Sequence, residues 1–487
     1  MRGFDDHRGT PSAWKREVIL WFLTGLVLLW PVFLNAGPFY ETDSASYIRG
    51  GKFGVETAVA MVSQWEAAPP SRAAAQAPRE NVDHAIANSG GARSAIYSVV
   101  AYLLRWPGNT LLLLVVAQAL AASLVICCLR RVITPEARLG TAIAASVALA
   151  ALSSVAWYSS YAMPDILAGI GICAALLLTL FFQRIGVVMK VALVLLIAFC
   201  ITAHASHLAI IAVTLAAGAI ASWWLGDAAS GERIGGIAWS ASPVLLAVVT
   251  TAATSYAAFG EMSLWPKRYP IQLARSVADG PGAWYLHDHC ATDHYAVCEV
   301  LGPNPPRDVL EFLWGPHGLR HKATPDQMDR IRAEEATIVR RAALAYPVFQ
   351  IRRSATNAAE QLIDFGPELL FGTRMLGTGQ EITPTPVAPD RPGMRAVARI
   401  LIYAGFAASI LFLVAVRRRL SRPEVAALAV VGIGLVTNAA VCGMLSAVAA
   451  RYQGRVAWVL PALAVMILLR IAAARDSKAT SAKVTLA

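Results

Sequence analysis

Residues 18–43, VILWFLTGLVLLWPVFLNAGPFYETD, decide the fold class: an apolar run at 18–36 leads through Gly-Pro straight into an acidic patch, Glu41-Thr42-Asp43. A helix needs roughly 17 to 25 apolar residues to cross the hydrocarbon core of a bilayer. Comparable runs lie at 110–129, 139–158, 165–182, 188–202, 208–225, 234–259, 396–416, 425–449 and 456–471, so about ten spans are expected. The run at 188–202 is short for a full crossing, so it is expected either to cross with little tilt or to extend into the polar His204 region. The first run is long and lacks a cleavage pattern, so it reads as a retained span rather than a signal peptide.

Composition agrees with a polytopic, all-α membrane protein. Hydrophobic residues make up 56% of the 487 and charged residues 15%, a balance foreign to soluble domains of this length. The net charge of +11 would suggest nucleic acid in a soluble protein. Here the basic residues cluster beside apolar runs, where they set orientation, and no nucleic-acid partner is expected.

With about ten spans, Arg130-Arg131 and Arg138, Arg184 and Lys190, Arg417-Arg418-Arg419 and Arg422, and Arg470 and Arg475 all fall on one side. That side is expected to be the cytosol, with both termini there and the protein in a bacterial inner membrane. The opposite connections at 159–164 and 203–207 carry no Lys or Arg, whereas the last one carries Arg451 and Arg455. The organisation then reads as 1–36, cytosolic tail and first span; 37–109, a periplasmic loop with interfacial helices; 110–259, spans two to seven; 260–395, a periplasmic segment; 396–471, the last three spans; and 472–487, a cytosolic tail.

Both periplasmic segments are long enough to fold. In the first, 67–79 reads as flexible loop, and 92–106, with Ile96, Val99, Val100, Leu103 and Leu104 on one face, reads as an interfacial helix. The second has an amphipathic helix expected at 325–346 and Pro-rich turns at 302–306 and 383–392, and reads as a small cap on the membrane domain.

Five of the seven cysteines sit in apolar runs, where packing explains them. Cys290 and Cys298 share the cap, and in an oxidising compartment a disulfide is the favoured pairing. The interleaved His287, His289 and His294 leave zinc as the alternative, although the spacing matches no standard finger.

Groups able to do chemistry gather at the non-cytosolic ends of the spans: Glu41 and Asp43, Asp165, His204 and His207, and Arg451 and Arg455. Acids, imidazoles and guanidiniums at one membrane face are costly unless they pair or serve a site. Each also has a structural reading. Asp43 suits a helix cap starting at Ser44, Asp165 a helix amino terminus, the histidines backbone-satisfied helix ends, and the arginines snorkelling anchors. No P-loop, dinucleotide fingerprint, nucleophile elbow or His-Glu-x-x-His motif competes.

Tyr40-Glu41-Thr42-Asp43 after the first span, Met163-Pro164-Asp165 entering a later one, and Arg451-Tyr452 before a Pro-containing final span resemble the C-type (GT-C) membrane glycosyltransferases. The likeness covers the membrane architecture over most of the chain, and each motif is short. It implies a GT-C-like fold whose donor is a sugar on a polyprenyl phosphate and whose acceptor is a lipid, a glycan or a protein, with transfer at the periplasmic face among membrane lipids. Carried over, Asp43 takes the role of general base or metal-linked acid, with Glu41 as its rival. The chemistry of such a transfer then assigns Arg451 or Arg455 to the leaving phosphate, with Asp165, His204 and His207 completing the expected substrate-binding set. The family commonly has two adjacent acids in this loop, and here Thr42 separates them. No residue pattern indicates a metal, although carboxylate, imidazole and phosphate oxygen together suit Mg or Mn.

Two other classes remain open. A lipid or polysaccharide-precursor flippase would need polar groups at mid-depth, for which Gln118, Thr179 and Asn438 are the candidates. A non-catalytic scaffold would need only the outer segments.

Overall fold

The computed structural model describes residues 11–66, 93–108, 110–225, 230–265, 267–368, 373–378, 381–386 and 392–485. By helix length and hydropathy the chain is a multi-pass membrane protein: among the described residues, seven helical segments are long and apolar enough to cross a bilayer. The first is α1 (Pro11–Leu28) continued by α2 (Trp30–Asn35). Helices α3 (Thr42–Glu66) and α4 (Ala95–Leu103) then pair with each other. The loop expected at 67–79 lies outside the described residues.

The bundle continues with α5 (Leu112–Ile133), α6 (Leu139–Leu152), α7 (Val155–Ser159), α8 (Ile166–Leu180), α9 (Val187–Ala203), α10 (Ala205–Leu225) and α11 (Ser230–Phe259). Three of the expected crossings, α6, α8 and α9, are shorter apolar helices. The expected third span stops at Leu152 because Ser153 is extended, with its hydroxyl turned back to the Leu149 carbonyl, and the chain restarts as α7. Helix α8 is buried on every side, with the contact surfaces of α5, α9, α10 and α20 around it. A helix that is apolar all round fits that central position.

The cap comprises α12 (Ile271–Asp279), α13 (Pro281–Asp293), α14 (Ala296–Leu301), α15 (Val309–Trp314), α16 (Leu319–Lys322), α17 (Pro325–Ala345) and α18 (Pro347–Ile363). It has its own core, including Leu273, Leu286, Phe312, Leu319, Ile331 and Ile338. Helix α17 starts with a reciprocal capping box between Thr324 and Gln327, which satisfies two amino-terminal donors at once. The buried Glu335 of α17 accepts from the backbone N–H groups of Gln272 and Leu273 at 2.8 and 3.1 Å, and from Arg268 at 2.9 Å, tying α12 to α17. Cys290 and Cys298 are joined in a disulfide with Cα atoms 5.6 Å apart.

Strands β1 (Thr373–Thr378) and β2 (Glu381–Pro386) form an antiparallel hairpin that opposes Thr373 to Pro386. The Pro-rich stretch read as a turn at 383–392 therefore begins inside a strand. Both strands of a two-stranded ribbon are edges, and an edge strand tolerates Pro384.

Helices α19 (Pro392–Val416), α20 (Arg422–Leu445), α21 (Ala450–Ala457) and α22 (Val459–Thr485) complete the chain. Helix α18 lies along α20 at Gly443, where an added Cβ would come within 2.6 Å of the Asn357 carbonyl. The final helix runs on to Thr485, through the stretch expected to be a tail from 472.

Candidate functional site

Backbone pairing builds the site before any charged side chain is placed. Ala36 and Gly37 adopt positive φ and turn the chain out of α2. Phe39 then runs parallel to Tyr161: its N–H donates to the Ser160 carbonyl, and its carbonyl accepts from the Ala162 N–H, both at 2.9 Å. The hydroxyl of Ser44 donates to the Ala162 carbonyl at 3.0 Å and accepts from the Glu41 N–H at 3.1 Å. Gln118 of α5 reinforces the seam by donating to the Tyr161 carbonyl at 2.8 Å while accepting from the Tyr97 hydroxyl. Glu41 is thereby fixed beside Met163-Pro164-Asp165.

The opposite wall comes from α21. Arg451 places Nη1 3.9 Å from Glu41 Oε2, and Arg455 places Nη1 3.7 Å from Asp165 Oδ1. Arg455 is 1% exposed and fully engaged: Nη2 donates to Ser206 Oγ at 2.9 Å and Asn438 Oδ1 at 3.1 Å. Asn438 in turn donates to Gln453 Oε1 at 2.8 Å. A buried guanidinium held this way is a fixed positive wall rather than a snorkelling anchor. Gly169 lets α8 approach α21 closely, since an added Cβ would lie 2.8 Å from the Arg455 carbonyl.

A third acid arrives from the segment after α18. Tyr158 donates its hydroxyl to the Gly366 carbonyl at 2.9 Å, and the Gly366 N–H donates to the Ala450 carbonyl at 3.3 Å. Gly366 has φ +145°, and an added Cβ would press on Arg399. This threading delivers Glu368 to a cleft that it shares with Glu41, Asp165, Arg451, Tyr158, Tyr161 and Met163. Nothing in the sequence reading singled out Glu368. The signal available was an acid two residues beyond Gly366 in a locally apolar stretch.

Glu41 lies outside the spans, and burial pushes its carboxyl up to about 7. Arg451 opposes that rise, while Asp165, Glu368 and Asp43 add to it.

Asp43 stands apart from this cleft. Helix α3 starts at Thr42, so Asp43 sits in its first turn, and its carboxylate is paired with Arg93. The adjoining cavity, about 160 Å³, is lined by Arg93, Tyr47 and His204 from the bundle and by Trp265, Arg268 and Trp314 on the cap side. His204 Nδ1 accepts from the Ser206 N–H at 3.3 Å and lies 2.9 Å from Ser206 Oγ, so Ser206 links this cavity to Arg455. His207 is buried behind it, with Nδ1 2.8 Å from the Cys200 carbonyl, and lines neither cavity. The expected residues thus divide: Glu41, Asp165 and Arg451 share the cleft, Arg455 backs it, Asp43 and His204 belong to the neighbouring cavity, and His207 packs.

Among the described residues no three His, Cys, Asp or Glu side chains gather to hold a metal ion, neither here nor around His287, His289 and His294. No protein-family model, curated protein or solved structure matches the chain.

Proposed function

We propose that the chain is a GT-C-like glycosyltransferase that moves a sugar from a polyprenyl-phosphate donor to a lipid, glycan or protein acceptor, at the periplasmic face of a bacterial inner membrane. The observation that carries this reading is the pairing, in one cleft at the end of a membrane bundle, of a carboxyl poised near 7 with a guanidinium 3.9 Å away. A general base works best when its pKa lies near the operating pH. Glu41 accepts the proton of the acceptor hydroxyl as its oxygen bonds to the anomeric carbon. The bond from that carbon to the phosphate oxygen breaks, and the phosphate leaves with the electron pair. Arg451 offsets the charge that builds there.

Glu41 suits the base better than Asp43, whose carboxylate is already committed to Arg93. Asp165 is held by Arg455 and orients the rim of the cleft. In this reading the cavity next to Asp43, lined by Arg93, Arg268 and aromatic rings, takes the donor headgroup. The flippase reading finds less support. Gln118 bonds Tyr97 and Tyr161, Thr179 bonds the Ala175 carbonyl, and Asn438 bonds Arg455, which leaves each of these mid-depth groups engaged in packing.

The test compares polyprenyl-linked sugars and finished glycans in cells carrying Glu41→Gln or Asp43→Asn with the parent, at equal protein level in the membrane. Glu41→Gln is expected to accumulate donor and to lose product, and Asp43→Asn to retain part of the activity. Profiles identical to the parent for Glu41→Gln would refute the assignment.

A further inference from the structure

The far end of the bundle holds a second charged cavity, one helix length from Glu41, or about 30 Å. Helix α1 and the connection between α5 and α6 border an open hollow of about 410 Å³, lined among others by Arg16, Glu17, Arg130, Glu136 and Arg138. Arg130 lies in the last turn of α5 and is 4% exposed. Its Nη2 donates to the Glu17 carboxylate at 2.5 Å and its Nη1 reaches the Thr134 carbonyl at 3.5 Å, while Nε, also buried, has no partner. A donor of a buried cation left unsatisfied is costly, and it marks a place where an acceptor oxygen is wanted.

Arg16 and Arg138 stand exposed at the rim, and neither guanidinium forms an ion pair among the described residues. Glu17 is taken by Arg130, so the free charge facing the cavity is that of two guanidiniums against Glu136. Beside it, α1 turns Ile19, Phe22 and Leu26 outward, each about half exposed. Guanidiniums around a pocket, next to an outward apolar helix face, match a phosphate attached to acyl chains.

We propose that this cavity binds the phosphate of an anionic phospholipid headgroup, with the acyl chains lying along α1. The ligand chemistry is a phosphate oxygen set between Arg16, Arg130 and Arg138, and the same chemistry could be supplied by a soluble phosphate. The site shares no residue with the Glu41 cleft, so it stands whether or not the chain transfers sugar.

The test uses the purified full-length protein, with phosphatidylglycerol or phosphatidylcholine added in detergent and retained lipid counted by native mass spectrometry. Arg16→Ala/Arg138→Ala changes only exposed side chains, and Arg417→Ala/Arg418→Ala removes the same charge elsewhere at this end. The parent and the Arg417→Ala/Arg418→Ala protein are expected to retain phosphatidylglycerol over phosphatidylcholine, and Arg16→Ala/Arg138→Ala to bind it about 30-fold more weakly. Equal retention by all three proteins overturns the site. A second arm titrates inorganic phosphate against thermal stability in phosphatidylcholine nanodiscs. No stabilisation supports the lipid, and stabilisation that is lost in Arg16→Ala/Arg138→Ala overturns it in favour of a soluble anion.

Discussion

Replacing Glu41 by Gln should separate stability from catalysis, and the separation should depend on pH. Burial holds this carboxyl at about 7 against an ordinary 4.5, and its side chain is only 10% exposed. That difference corresponds to about 3 kcal/mol between the protonated and ionised forms in the folded protein. Because the folded value is raised, the stabilisation is complete below 4.5 and is lost as pH rises through 7. Above 7 the native protein carries an ionised carboxylate in a cleft that disfavours it, with Asp165, Glu368 and Asp43 repelling and Arg451 attracting. Gln imitates the protonated form and avoids that cost.

Thermal unfolding in nanodiscs should therefore show parent and Glu41→Gln close together at pH 5. At pH 8.5 the variant should be the more stable by up to about 3 kcal/mol, a shift of several degrees. Transfer activity should be lost in the variant at both pH values. In the parent it should rise with pH through an apparent midpoint near 7, as Glu41 becomes the ionised base. A stability difference that ignores pH, or a variant less stable than the parent at pH 8.5, would refute the assignment of Glu41 as a buried, high-pKa carboxyl.

Arg451→Ala removes a guanidinium that lowers the Glu41 pKa, so the pH–rate midpoint should move to higher pH and kcat should fall about 100-fold, with Arg451→Lys intermediate in steady-state assays. Asp165→Ala leaves Arg455 buried without its carboxylate and should cost about 3–5 kcal/mol, read as a large drop in unfolding temperature. Gly454→Ala drives a methyl group into the Tyr158 hydroxyl and to 2.9 Å from the Gly366 N–H, so it should cost about 1–3 kcal/mol and lower activity by displacing Glu368. Cys290→Ser/Cys298→Ser opens a cross-link with a sequence separation of 8 and should destabilise the cap by about 2 kcal/mol, detectable as faster proteolysis between α13 and α14.

Hydropathy alone determined that the chain is a multi-pass helical membrane protein, because a bilayer core admits only segments whose backbone bonds internally and whose side chains are apolar. Amphipathic spacing also made α17 legible at 325–346, and an oxidising compartment favoured pairing Cys290 with Cys298 over zinc. The helix needs no information from distant sequence, and the disulfide needs only the side of the membrane.

The site was legible only as a set of polar residues at helix ends. Which acid faces which guanidinium depends on the parallel backbone seam between Phe39 and Tyr161 and on the close approach of α8 to α21, and both join segments far apart in the chain. Glu368 enters the cleft because Gly366 is threaded between Tyr158 and Ala450, a path that no local pattern encodes. Burial then lifts Glu41 towards 7 while Asp43, two residues on, pairs with Arg93. In sequence the two acids look equivalent, and only the tertiary surroundings, which set desolvation and charge partners, make them different.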